Sequence, residues 1–173
     1  MTIRSPDNHN LAELAALMPR YMSETYATEW HGSEQALRSA VAAGTLQMLV
    51  AAHRDQTIIG FIAWTAAYDL HWCVTGATIL DLYVCPEARG RVVALRLLAA
   101  AAAQVQGGGG RFLRGTAVDT GSGKQLYGRA AVCNATTECT VGGRAFRELA
   151  ELENLPSREL LQRLPDAAWN YEA

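Results

Sequence analysis

Hydrophobic positions in the first half of the chain change from helical to strand spacing. Residues 10–22 carry leucine, alanine and methionine three or four positions apart, which predicts a helix after a short strand at residues 3–4. A second helix is predicted from Ser33 to a glycine stop at Gly44. Apolar runs over residues 46–53 and 58–65 are joined by four polar residues, and together they predict a β-hairpin.

The second half of the chain continues the alternation of strands and helices. Residues 78–84 form a strongly apolar strand, residues 93–104 a helix rich in alanine and leucine, and residues 112–118 another strand. A strand, a helix and a strand in this order favour a parallel crossover. The remaining predicted elements are a helix over 122–131, a strand over 135–141, and short helices over 143–152 and 157–164.

The junction between the strand at 78–84 and the next helix has an unusual composition. It reads VCPEARGRVVALRLL over residues 84–98, with Arg89, Gly90 and Arg91 just before the helix. The first N–H groups of a helix lack partners within the helix and carry partial positive charge. The junction therefore predicts an anion site, unless Arg89 and Gly90 merely begin a helix on a solvated loop.

Composition limits the classes of protein to which this junction can belong. With 173 residues, of which 50% are hydrophobic, the chain can bury one substantial core, so a single domain over residues 1–173 is expected. A formal net charge of −2 gives no basic surface for nucleic acid or membranes, and there is no apolar leader, so a cytoplasmic location is expected. The four cysteines have no C-x-x-C spacing, so we expect reduced thiols and no metal site.

Element order and motif together resemble the GNAT superfamily of acyl-CoA-dependent N-acetyltransferases over residues 3–141. The family signature Q/R-x-x-G-x-G/A falls on residues 89–94, where Arg89 and Ala94 match and Val92 replaces the usual glycine. The resemblance implies acetyl-CoA as co-substrate and an α/β (α+β) fold. Its sheet is mixed, mostly antiparallel and flanked by helices, and the strands at 78–84 and 112–118 are parallel and splay apart into a CoA cleft. The implied cofactor contacts are Val84, Arg89, Gly90, Arg91, Val92, Val93, Ala94 and Thr120.

Val92 is the main departure from the family signature. A β-branched residue there costs about 1–3 kcal/mol if its φ is positive, and little if the position is already helical. A catalytically weak or inactive CoA-binding regulatory module is therefore an alternative to an active enzyme. A structural protein that uses the alanine-rich helix as a dimer surface is another.

The resemblance also implies direct attack of an amine on the acetyl thioester, which needs a base and an acid. Asp81 and Tyr83 lie two apart on the apolar strand and so on one face, which makes Asp81 a candidate base unless it pairs with an arginine or caps a backbone. Tyr127, in KQLYGR, matches the family tyrosine that protonates the leaving thiolate, although a packing role is also possible. Thr120 stands nearest the position where some members bind pantetheine.

Residues 21–31, YMSETYATEWH, combine aromatic rings with carboxylates. Glu24, Tyr26, Glu29 and Trp30 would suit a small cationic amine through ion pairing and cation–π contact, unless the rings are core and the glutamates a solvated face. Residues 68–72 form a second aromatic cluster in a predicted connection. A protein acceptor remains an alternative, and the resemblance together with the apolar C-terminal strand suggests a homodimer.

Overall fold

One seven-stranded sheet organises the part of the chain that the structure describes. This computed structural model describes residues 1–90, 92–116, 132–133, 138–156, 159 and 162–163. The strands are β1 (Thr2–Arg4), β2 (Gln47–Ala52), β3 (Ile58–Asp69), β4 (Val74–Val84), β5 (Phe112–Thr116), β6 (Val132–Cys133) and β7 (Glu138–Gly142), in the order β1-β2-β3-β4-β5-β7-β6. The helices are α1 (Asn8–Tyr26), α2 (Glu34–Ala42), α3 (Val93–Gly107) and α4 (Gly143–Glu151).

The sheet is antiparallel except where β4 meets β5. These two strands run parallel and pair in register only at Ala77 with Leu113 and Thr78 with Arg114. Beyond Thr78, β4 continues to Val84 along β3, and no described residue of β5 pairs with it there. The predicted mixed sheet and the splayed parallel pair are therefore confirmed.

A β-bulge in β4 decides which way its polar residues face. Ala63 of β3 pairs with Asp81 and Trp64 pairs with Ile79, so Leu80 is an extra residue on β4. Without the bulge, Ile79 and Asp81 would share a face of the sheet. Instead Ile79 packs in the core beneath α3. Asp81 and Tyr83 lie on the side of α1, where Asp81 bonds to Tyr21 and Tyr83 belongs to the core.

Helices cover both faces of the sheet and bury a separate core on each. On one face α3 and α4 pack over Trp64, with Leu98 and Phe146 fully buried between them. On the other face α1 covers Phe61, and α2 adds its partly buried apolar side chains. Among the described residues, no helix is both long enough and apolar enough to cross a membrane.

The first helix is longer than its apolar spacing predicts. Asp7 caps its N-terminus and forms a capping box with Asn10, and the helix runs past residue 22 to Tyr26, where Ala27 ends it in the left-handed conformation. This extension brings Glu24 and Tyr26 onto the helix. The predicted helix start at Ser33 is confirmed, because the Ser33 hydroxyl accepts from the Ala36 N–H.

Strand β3 also extends further than predicted, and this corrects the assignment of residues 68–72. Tyr68 and Asp69 belong to β3, because pairing continues until Asp69 faces Val74 on β4. Only residues 70–73 form the connection, which Asp69 holds by accepting from the backbone N–H groups of His71 and Trp72. The helix predicted at 122–131 lies outside the described residues, and so does most of that at 157–164.

Candidate active site

Asp81 lies at the centre of a cluster of hydroxyl groups between α1 and β4. The buried Tyr21, only 2% exposed, donates a short hydrogen bond to Asp81 Oδ1. The Tyr26 hydroxyl lies 3.2 Å from the same carboxylate oxygen and 3.3 Å from the Tyr21 hydroxyl. Both of these hydrogen bonds go to Oδ1, and no described residue donates to Asp81 Oδ2.

Edge-to-face contacts between aromatic rings hold Tyr21 in place. Its ring centroid lies 5.4 Å from that of Phe61, 5.1 Å from that of Tyr83 and 5.8 Å from that of Tyr26. Because three rings fix its ring, the Tyr21 hydroxyl has little freedom to leave Asp81. The orientation of the Asp81 carboxylate is therefore set by packing on α1 as well as by the bulge.

Glu24 is surrounded by positive charge, in contrast to Asp81. Arg20 Nε lies 2.8 Å from Glu24 Oε1, the Arg89 guanidinium 3.2 Å from Oε2, and the Tyr83 hydroxyl donates to Oε2 at 2.9 Å. Arg20 also pairs with Glu87 at 2.7 Å. Hydrogen bonding by Arg20 is the main cause that lowers the pKa of Glu24. Its charge is thus compensated within the chain, so Glu24 is poorly placed to attract a cation.

The two buried tyrosines stay protonated at neutral pH. Burial is the main cause that raises the pKa of Tyr21, and the hydrogen bond to Asp81 acts in the same direction. Burial, with the hydrogen bond to Glu24, raises the pKa of Tyr83 to about 12. Both groups are therefore hydroxyl donors at neutral pH.

The junction before α3 has the backbone geometry of an anion cradle. Gly90 has a φ of +75° and Val92 a φ of +56°, and α3 begins at Val93 with no side chain capping it. The first bond of the helix runs from Arg96 N to Val92 O at 3.0 Å, which leaves the N–H groups of the first turn without helical partners. A Cβ at Gly90 would meet no atom within 4 Å, so the space beside the cradle is open. These features fit a diphosphate.

Arg89 contacts both β4 and α1 beside this junction. Its Nε donates to the carbonyl oxygen of Val84 at 3.0 Å, and its guanidinium carbon lies 5.8 Å from the centre of the Tyr83 ring, while the other end pairs with Glu24. Arg89 therefore connects the last residue of β4 to α1.

Several predicted residues lie elsewhere or outside the described part of the chain. Glu29 and Trp30 follow α1 in the loop to α2, where Glu29 is exposed. The Trp30 ring lies close to Gly32, since a Cβ added to this glycine would be only 2.6 Å from it. Arg91, Thr120 and Tyr127 lie outside the described residues. No group of three metal-ligating side chains occurs within the described ranges.

Sequence reasoning missed Tyr21 and Arg20 as members of this cluster. A signal for Tyr21 was present, since it lies seven residues after Leu14, and the two side chains share the buried face of α1. Arg20 carried a weaker signal, the i,i+4 spacing to Glu24.

Comparison with known proteins adds a family and a fold. The family model described as "Acetyltransferase (GNAT) family" matches residues 11–131. A solved structure described as a probable acetyltransferase has a TM-score of 0.66 at 21% identity, with 74% of this chain and 87% of that chain covered. A ribosomal-protein-alanine N-acetyltransferase from Brucella melitensis biovar Abortus 2308 has a TM-score of 0.63 at 16% identity, with coverage of 78% and 94%.

A plant structure gives a similar result. NAA60 of Arabidopsis thaliana, solved in complex with a bisubstrate analogue, has a TM-score of 0.59 at 16% identity, with 80% of this chain and 93% of that chain covered. No curated protein sequence matches the chain. At these identities the solved structures establish a shared fold.

Proposed function

This chain belongs to the GNAT acetyltransferase family, and we propose that it moves an acetyl group from acetyl-CoA to the primary amine of a small cationic acceptor. The amine attacks the thioester directly while both substrates are bound. The observation that carries this proposal is the Asp81 carboxylate. One of its oxygens is held by two tyrosine hydroxyls and the other has no donor among the described residues, on the strand whose end opens the cleft.

The cofactor side of the cleft is assigned to the end of β4 and the start of α3. The N–H groups of Val93 and Ala94, with the open backbone at Gly90, would hold the diphosphate, and the Val84 backbone would contact the pantetheine. Acetyl-CoA supplies the activated acetyl group when bound. Val92 does not block this role, because backbone N–H groups make the contacts.

On the acceptor side, Asp81 Oδ2 takes the proton from the ammonium group of the acceptor. Tyr21 and Tyr26 hold Oδ1 and so direct Oδ2 towards the amine. Tyr26 is 49% exposed and would form the solvent edge of the acceptor site, through which the acceptor enters. From the family resemblance, Tyr127 remains the proposed acid for the leaving thiolate.

The preference for a cationic acceptor rests on Asp81 and the neighbouring rings. An ammonium group beside Asp81 gains an ion pair, and the Tyr21 and Tyr26 rings add cation–π attraction. Glu24 is neutralised by two arginines, and Glu29 and Trp30 lie in the following loop, so these three residues support the proposal less than the sequence suggests.

A protein acceptor is the second candidate, and the exposure of this side of the site favours it. Tyr26 and Arg89 both lie at the surface, which leaves room for an extended chain. A panel of polyamines, aminoglycosides and alanine-initiated peptides separates the two candidates by their kcat/KM values. Higher values for the small cations support the first candidate, and higher values for the peptides support the second.

Three further assignments from the sequence are also proposals. These are a cytoplasmic location, a homodimer, and the alternative of a regulatory module that binds CoA without transferring the acetyl group. The strained Val92 is the observation that favours the module. Such a module would bind CoA and leave every acceptor in the panel unmodified.

Two substitutions of the same size test the cofactor site. Asp and Asn both tolerate the positive φ of Gly90, and a Cβ there meets no atom within 4 Å. The two variants have side chains of the same shape, so they differ chiefly by one negative charge. We expect Gly90→Asp to weaken acetyl-CoA binding roughly tenfold or more by repelling the diphosphate, and Gly90→Asn to weaken it much less. Calorimetric titration measures both affinities. Equal affinities would show that the diphosphate binds elsewhere.

A further inference from the structure

Arg89 lies at the border between the two proposed substrate sites. Its Nε bonds to the carbonyl oxygen of Val84, the last residue of β4, where the cofactor cleft opens. The same guanidinium pairs with Glu24 Oε2 on α1, beside the proposed acceptor site. One side chain therefore contacts both sites.

Two anions can compete for this side chain when the cofactor is present. Arg89 directly precedes Gly90, so a rotation of its side chain can carry the guanidinium from Glu24 towards an anion at the start of α3. A diphosphate carries more charge than a carboxylate and accepts bidentate hydrogen bonds from a guanidinium. Arg89 is more than half exposed, so its pair with Glu24 is weak and easily exchanged.

Glu24 does not become isolated if Arg89 leaves. Arg20 still lies 2.8 Å from Oε1, and the Tyr83 hydroxyl still donates to Oε2. Arg20 is at the same time held by Glu87. The Glu24 carboxylate therefore keeps two partners, so little opposes the exchange.

We infer that Arg89 links the two substrate sites: Glu24 holds its guanidinium in the free protein, and the CoA diphosphate takes it over when the cofactor binds. This inference rests on the proposed function. After the exchange, the three carboxylates Asp81, Glu24 and Glu87 face one arginine instead of two. The acceptor site becomes more negative once CoA is bound, so a cationic acceptor binds more tightly to the CoA complex than to the free protein. By linkage, the acceptor strengthens CoA binding by the same factor.

A double-mutant cycle measured with CoA alone tests this inference without any knowledge of the acceptor. The proteins are the wild type, Glu24→Gln, Arg89→Ala and the double variant, each titrated with CoA by calorimetry at one salt concentration. Glutamine suits the half-exposed helical position as well as glutamate does, so we expect Glu24→Gln to remain folded. It releases Arg89 and should tighten CoA binding roughly threefold or more, whereas Arg89→Ala should weaken it by a similar factor.

The double variant separates the exchange from a general effect of charge. In the Arg89→Ala background, Glu24→Gln should change CoA affinity by less than about twofold, because there is no arginine to release. An unchanged CoA affinity in Glu24→Gln would overturn the inference, and so would an equal gain in both backgrounds. A wild type that does not bind CoA would instead refute the proposed function itself.

A structure of the CoA complex gives a second, independent readout. We expect the Arg89 guanidinium to contact the diphosphate and to have left Glu24 Oε2. An Arg89 that still lies 3.2 Å from Glu24 in that complex would contradict the exchange.

Discussion

Val92 adopts a backbone conformation that is costly for a β-branched residue. Its φ of +56° and ψ of +14° lie in the left-handed region immediately before α3. The sequence alone left two outcomes open, a helical valine without strain or a strained one, and the structure shows the second. The usual family glycine would adopt this conformation without the penalty.

Replacing Val92 with glycine should therefore stabilise the protein. The relief of about 1–3 kcal/mol of strain outweighs the roughly 0.5–1 kcal/mol that glycine loses through its more flexible unfolded chain. We expect a net gain of about 1 kcal/mol in the free energy of unfolding, measured by urea denaturation with an unchanged slope. Val92→Ala keeps a Cβ but removes the branch, so its free energy of unfolding should lie between those of the wild type and Val92→Gly. A less stable Val92→Gly protein would show that Val92 is not strained.

Asp81 is the residue on which the proposed chemistry depends. If its carboxylate takes the amine proton, Asp81→Asn should lower kcat roughly ten- to a thousandfold at low pH, where few acceptor amines are already neutral. The deficit should shrink as the pH approaches the pKa of the acceptor. Asp55→Asn, the same substitution in the turn between β2 and β3, is the matched control and should leave the pH–rate profile unchanged. A deficit that is constant with pH would make Asp81 a structural carboxylate.

At this scale the sequence predicted the residue types of the site better than their contacts. Asp81 and Tyr83 were placed on one face because side chains alternate along a strand. The bulge at Leu80 could not be predicted, because it depends on the register with β3. Tyr21 reaches Asp81 across 60 positions of the chain, and no local pattern contains that contact.

Among the elements, α1 and β4 form the proposed acceptor site through three tyrosines and two carboxylates. Hydrophobic spacing predicted both elements, but it placed the end of α1 too early because the residues after Met22 are mostly polar. Those polar residues include Glu24, whose partners lie on other elements as well as on α1. The last turn of α1, which carries Glu24 and Tyr26, therefore lacks a hydrophobic signal, whereas Tyr21 lies within the predicted helix.

The raised pKa of Tyr83 makes the hydrogen bond from Tyr83 on β4 to Glu24 on α1 sensitive to alkali. Its pKa is about 12 in the folded protein and 10.0 in its ordinary state, so the stabilisation is complete below pH 10 and is lost as the pH rises towards 12. Burial also raises the pKa of Tyr21, so Tyr21 adds to the loss of stability at high pH. Urea denaturation at several pH values from 9 to about 11.5 should show stability falling less steeply in Tyr83→Phe than in the wild type. Equal slopes would mean that Tyr83 ionises as freely in the folded protein as in the unfolded chain.

At the scale of the whole molecule, the cleft arises from the separation of β4 and β5. The order of elements and the junction motif predicted this architecture, because a strand, helix and strand crossover constrains the topology. The loss of pairing beyond Thr78 was implied only by the family resemblance. Composition predicted one substantial core, whereas helices on both faces of the sheet divide the buried side chains into two cores.

The central claim is that this cleft transfers an acetyl group to an amine, and product analysis tests it most directly. The protein is incubated with acetyl-CoA and each member of the amine and peptide panel, and both free CoA and acetylated product are quantified by mass spectrometry. We predict equal amounts of the two products with at least one small cationic primary amine, and neither above background when that amine is fully methylated. CoA binding without any acetylated product across the panel, or release of CoA without acetylation, would contradict the account.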